Sequence, residues 1–142
     1  LGKEQGGHRM TKARMAALEI LRSADHPLTA GEIHAVANPP CDQATVYRTL
    51  HYLESRGFID SFALRCSAHG TERYYTYYDG PNKHHRHWFH CECCHRFIDL
   101  GSCSIESLLY DYSKTHDFEI RSHTLTLMGV CQECLANDNN GE

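Results

Sequence analysis

Two Cys-x-x-Cys pairs, Cys91–Cys94 in "CECC" and Cys131–Cys134 in "CQEC", constrain this chain more than any other feature. A two-residue gap lets both thiolates of a turn reach one tetrahedral ion, and two such turns complete a four-sulfur shell. Cys91, Cys94, Cys131 and Cys134 are therefore expected to hold structural Zn²⁺ and to clip together the ends of a small domain. Such a shell has no open coordination position, so catalysis is not expected there. A disulfide pair or unliganded thiols would be the bland alternative, and the spacing speaks against it. The first turn leaves one alternative open: Cys93 could stand in for Cys94, with His90 for Cys91. Cys94 is preferred because the residues after it then keep strand phasing.

The first pair sits inside "HHRHWFHCECCHRFIDL", residues 84–100, which holds five histidines and three cysteines in seventeen positions. Neither a core strand nor a solvated face has that density. The whole chain of 142 residues carries eight cysteines and twelve histidines. That length fits one ordinary domain or two small ones, and small domains want a staple. No apolar run approaches the roughly 18 residues of a membrane span, and no signal-peptide pattern is seen. The expectation is a soluble, cytoplasmic protein that uses cysteine for metal and not for disulfides. The net charge of −4 is unevenly spread. Residues 1–57 hold seven Lys/Arg against six Asp/Glu, and residues 58–142 hold seven against twelve. The second part reads as a cation binder, while the first can still present a local basic face.

Along the chain, residues 1–8 are Gly-rich and expected to be disordered. "MTKARMAALEILRSADHP" predicts a first helix with Ala13, Ala17 and Leu21 on its stripe, widened by Leu18 and Ile20. "TAGEIHAVANPP" predicts a second, capped by Thr29 with Glu32 reaching back, and with Ile33 and Val36 as its apolar face. "DQATVYRTLHYLESRGF" predicts a third, with Asp42 as N-cap and Gly57 after its end. Val46, Leu50 and Leu53 face inward; Ala44, Tyr47, Arg48 and His51 face out. "FIDSFALRC" and "RYYTYYDG" predict a hairpin. A second unit is expected from about Pro81: short strands at "HWFH" and "RFIDL", a helix at "IESLLYDYSKTH" with Ile105, Leu108, Leu109 and Tyr112 on one face, a strand at "EIRSHTLTLMG", then the second cysteine turn and a polar tail. Three helices and a hairpin make the winged helix-turn-helix plan, whose third helix enters the major groove. Arg48 can take guanine O6 and N7, and Tyr47 can pack on a thymine methyl. Arg9 can enter the minor groove, and Lys12 and Arg14 can hold phosphates.

With these motifs in place, the sequence resembles the ferric uptake regulator family. The likeness spans roughly residues 9–134 and rests on "RMTKAR", "ATVYRTL", "HHRHWFHCECC", "RFIDL", "SHTLTLMG" and "GVCQEC". It implies an α+β chain: a winged-helix DNA-binding domain over residues 1–80 and a small α/β dimerisation domain with the four-cysteine zinc over residues 81–142. It also implies a homodimer that binds a double-stranded operator and represses when metal is bound. Iron, zinc, manganese, nickel and peroxide sensors all occur in such a family. By the resemblance, His85, His87, Glu106 and His123 fall on a dimerisation-domain metal site. Tyr47 and Arg48 fall on the base-contacting pair, and Asp99 on a carboxylate that follows the cysteine turn.

The chain departs from the family pattern where iron and peroxide sensors place two hinge histidines, since Arg86 and Trp88 stand there. A carboxylate expected after an Arg-Tyr pair is replaced by Tyr75 or Thr76. His84, seven residues before Cys91, has the spacing of zinc-sensing members. It is expected to form a second site with Asp99 and with Cys66 or His69. His26, His90, Cys93, His95 and Cys103 could be ligands or bystanders, and for each an exposed or packed side chain is the favoured reading. A Cys/His-rich set suits Zn²⁺ better than iron, so the regulatory metal is expected to be Zn²⁺, with Fe²⁺ as the alternative. A zinc enzyme is disfavoured because the deaminase signature is absent. A zinc-storage or zinc-ribbon interaction protein would leave the Thr29 cap, the Tyr47–Arg48 face and the hairpin without a purpose.

Overall fold

A computed structural model describes residues 9–78 and 85–139. Residues 1–8, the boundary at Pro81, His84 and the last three residues lie outside them. The described chain forms two compact units. One holds the residues up to Ser61 and those from Arg73 to Tyr78. The other holds Phe62–Glu72 and everything from His85 onward.

In the first unit, α1 (Lys12–Ser23), α2 (Ala30–Val36) and α3 (Gln43–Ser55) pack so that α3 rests on both others. Each begins at a side-chain cap. Thr11, Thr29 and Asp42 accept from the backbone N–H groups of Arg14, Glu32 and Thr45, which have no partner within the helix. The Thr29 hydroxyl also donates to the Glu32 carboxylate at 3.2 Å, so Glu32 reaches back to the capping side chain. Gly57 follows α3 with φ +76, a conformation that favours glycine. The core gathers Ala17, Leu21, Ala30, Ile33, Val46, Leu50, Leu53, Ile59 and Tyr75. Val36, expected on the apolar face of α2, is instead 60% exposed, because α2 ends there after seven residues. A short strand absent from the sequence reading, β1 (Leu28–Thr29), pairs antiparallel with β3 (Gly70–Tyr77), whose other neighbour is β2 (Ile59–Cys66).

The second unit is built on β4 (Arg86–Cys91). It lies between the antiparallel β5 (Phe97–Ser102) and the parallel β6 (Thr126–Gly129), with α4 (Glu106–His116) in the crossover. A bulge between Arg86 and Trp88 breaks the strict alternation, so consecutive His87 and Trp88 are both buried. The strand expected over residues 119–129 is cut to Thr126–Gly129. Just before it, the Leu125 carbonyl accepts from the His87 ring at 3.0 Å instead of joining a ladder. After Cys131, α5 (Gln132–Asn139) replaces the expected polar tail.

The two units bury different kinds of side chain. Among the described residues of the second unit the buried ones are Leu64, Cys66, His87, Trp88, His90, Cys91 and Cys131. Five of these seven are cysteine or histidine, and none of α4 is buried. An interior made of metal donors is a poor hydrophobic core, and it gains cohesion when a cation joins the donors.

Candidate metal centres and reading face

The parallel register sets Cys91 level with Gly129, two residues before Cys131, and so brings the two cysteine turns together. The sulfurs of Cys91, Cys94, Cys131 and Cys134 all lie within 4.8 Å of one another. The Cys91–Cys134 and Cys94–Cys131 pairs are each 3.8 Å apart. Cys93 is exposed and outside the group. Backbone N–H groups of Cys94 and then Cys131 donate to Cys91 Sγ and hold its thiol down to about 5. The Cys134 backbone N–H lowers Cys131 in the same way. Cys134 is pushed up, because its thiol is hydrogen-bonded to Cys131 and because burial disfavours its charge. Several thiolates can share so small a volume only around a cation, and soft sulfur donors select a Zn²⁺-class ion.

A second group joins His85, His87, His123 and Cys103. The three Nε2 atoms converge: His85 to His123 is 2.7 Å, His85 to His87 3.1 Å and His87 to His123 3.2 Å. Cys103 Sγ is 3.4 Å from His123 Nε2. The His87 Nδ1–H donates to the Leu125 carbonyl, which leaves the Nε2 lone pair facing its neighbours. Burial, and then the charge of His85, hold the His123 ring below its ordinary value, so it stays neutral and able to ligate. Glu106 is not in this donor group, although its charge acts on His123. Cys103, read from sequence as a bystander, takes the fourth place. It lies at the entry to α4, and its only sequence signal was a thiol three residues before the expected ligand.

Of the residues named for the expected second site, only Asp99, Cys66 and His69 are described. His84 lies outside the described residues. Asp99 pairs with Arg86 and accepts from the Gly101 N–H at 2.7 Å, so a cation from the chain itself already occupies its carboxylate. Cys66 instead meets His90 and His95, both read as bystanders. His69 sets its ring edge-on to His95, with centroids 4.7 Å apart. Nothing in the sequence spacing marks that meeting, because Cys66 comes from the hairpin.

On the first unit, Tyr47 is 58% exposed and Arg48 exposed, both on the outward side of α3. Arg48 donates to Thr45 Oγ1 at 3.1 Å. Arg9 and Lys12 are exposed. Arg14 is engaged within the unit: it donates to the Arg9 carbonyl at 2.8 Å and lies 3.4 Å over the Tyr52 ring. No helix among the described residues is long and apolar enough to cross a membrane.

Known proteins share this architecture. The family model described as the ferric uptake regulator family matches residues 5–128. The chain is 30% identical over 135 residues to the ferric uptake regulation protein of Campylobacter jejuni, covering 92% of this chain and 82% of that protein. It is 28% identical over 131 residues to the zinc uptake regulation protein of Mycobacterium tuberculosis, covering 90% and 95%. It superposes with a TM-score of 0.66 and 25% identity on the Helicobacter pylori ferric uptake regulator, covering 89% of this chain and 82% of that one. That structure is described as revealing three functional metal-binding sites.

Proposed function

The chain belongs to the ferric uptake regulator family, whose members are metal-dependent DNA-binding transcription regulators and not enzymes, and from that premise we propose that it is a zinc-responsive repressor of metal-uptake genes. The observation that carries the choice of metal is the donor set of the second group. Three imidazoles and a thiol, with the carboxylate of Glu106 outside, suit Zn²⁺ better than Fe²⁺. His85, His87, Cys103 and His123 are the regulatory ligands in this reading, and Cys91, Cys94, Cys131 and Cys134 the permanent structural ones. A bound ion would tie β4, the entry to α4 and the segment before β6 to one point. The chain's own residues prepare that point: the Leu125 carbonyl fixes the His87 tautomer, and burial keeps His123 neutral. Ligation then favours whichever conformation of the dimer binds DNA, by as much as the ion prefers it.

Residues 1–80 act as the DNA-binding domain and residues 81–142 as the dimerisation domain, with the outer hairpin packing in the second compact unit. Tyr47 and Arg48 read bases, while Arg9 and Lys12 hold the backbone. Arg14 sets the entry to α1 more than it holds phosphate, given its two internal partners. A homodimer fits the exposed Ile98, Leu100, Leu108, Tyr112, Leu127 and Met128 of the second unit, which are apolar surface in want of a cover. A cytoplasmic location follows from the DNA partner. An iron-responsive or peroxide-sensing role is the second reading; the influence of Glu106 on His123 favours it, since an oxygen ligand nearby would suit Fe²⁺.

The test is selection of duplexes from a random pool by the full chain, run with Zn²⁺, with Fe²⁺ and with chelator. The proposal expects an enriched site with Zn²⁺ alone. Enrichment restored only by Fe²⁺ gives the regulator to iron, and equal enrichment under chelator removes metal control altogether.

A further inference from the structure

One cluster of donors has no part in that reading. We infer that Cys66, His90 and His95 form a further metal site for a Zn²⁺-class ion, pinning the end of β2 to the first cysteine turn. One donor atom from each lies within 4.8 Å of the others, and Cys66 Sγ is 3.3 Å from His95 Nδ1. Cys66 is buried, and His90 is only 1% exposed.

Three independent features point to a ligand. First, His90 Nδ1 is buried without a hydrogen-bond partner among the described residues. Buried polar atoms are seldom left so, and each such case calls for an unseen partner. A Cys66–His95 hydrogen bond would explain that pair alone and leave His90 Nδ1 unsatisfied, whereas a cation could join all three residues. Second, His95 has φ +62, in the left-handed region where a non-glycine residue is strained. The strain is consistent with a side chain placed for a purpose. Third, the donors are a thiol and imidazoles, with no carboxylate in the group, the chemistry that selects zinc and its soft neighbours. His69 sets its ring edge-on to His95, next to the group but outside its three donors.

The site shares no ligand with the four-thiol group or with the His85, His87, Cys103 and His123 group. Its ligands come from the end of β2, from β4 and from the residue after the first cysteine turn. It would therefore fasten the outer hairpin to the body of its unit, where the Phe62 and Phe97 rings also meet edge to face at 6.2 Å. This site is inferred whichever metal the proposed switch answers to.

The experiment counts zinc. Full-length chain is loaded with Zn²⁺, freed of excess by gel filtration, and assayed for metal per chain. Three donor groups predict three ions in the wild type. Cys66→Ser and His95→Gln should each hold one fewer, and His95→Gln combined with His123→Ala two fewer, with unchanged far-ultraviolet circular dichroism. Wild-type zinc in both single variants would overturn the inference. So would a wild-type chain that holds no more than two ions, a result that needs no variant to fold. Operator binding in the same preparations reads the switch separately, so loss of metal-dependent DNA binding with a full zinc count would strike the proposed function and leave this site standing.

Discussion

Arg48 uses one guanidinium nitrogen on Thr45 and stands exposed on the outer side of α3, beside an exposed Tyr47. In the proposed reading that tether would hold the fork in place for a guanine edge. Arg48→Ala should weaken operator binding by about 1–3 kcal/mol and relax base preference at one position per half-site. Lys12→Ala should instead weaken all sequences alike and flatten the dependence on salt. Competition binding with single-base operator variants separates the two; unchanged discrimination in Arg48→Ala would mean α3 does not read bases. Asp42 is the residue whose charge is tied to this helix. The Thr45 hydroxyl and then the Thr45 N–H hold its carboxyl below the ordinary range. Because the folded value is the lower one, the charge stabilises the fold above the unfolded value of about 3.9 and stops doing so as pH falls through the folded value. Asp42→Asn keeps the acceptor and loses the charge. The wild type should therefore melt above this variant near neutrality, and the gap should close as pH falls from about 5 to about 2. A gap that stays constant across that range would show that the cap works through geometry alone.

Among the elements of the second unit, the cysteine turns are expected to matter most to stability. Five of the seven buried side chains among the described residues of the second unit are cysteine or histidine, so side-chain burial adds little to the β4–β6 ladder without a cation. Cys131→Ser should release the structural metal and expose Trp88, the single tryptophan, so that its emission shifts to the red and the unit's cooperative melt disappears. Unshifted emission after loss of zinc would place the unit's stability elsewhere. The elements governed by local rules were legible from sequence: the caps at Thr29 and Asp42, the glycine at Gly57, the inward Val46, Leu50 and Leu53, and the pairing of the two Cys-x-x-Cys turns. What depends on convergence was not. Cys103 joins His85, His87 and His123 from three residues before Glu106, a convergence set by packing that leaves no periodic trace. Asp99 was lost to Arg86 across the β4–β5 ladder, a pairing that only the register reveals. Helix α5 escaped notice because "QECLANDN" carries almost no apolar stripe; its first turn hangs from the Cys131 carbonyl, which accepts from the Leu135 N–H at 2.9 Å.

At the scale of the whole molecule, the chain divides its tasks between a unit with an aliphatic core and a unit with a core of donors. The first keeps its shape by burial of Leu21, Ile33, Leu50 and Leu53. The second is expected to depend on cations, and a protein whose order depends on an ion is suited to report that ion. The exposed apolar side chains of the second unit should be covered in a dimer whose mass persists after mild chelation, provided the four-thiol metal is retained. The central claim is that the three-histidine, one-thiol group switches DNA binding while the four-thiol group only holds the fold. It is tested most directly by titrating Zn²⁺ against operator binding, read as fluorescence anisotropy, in the wild type and in His123→Ala. The account predicts that His123→Ala keeps its buried Trp88 emission and its four-thiol zinc but no longer gains affinity as zinc is added. A variant that tracks the wild-type zinc curve would contradict it.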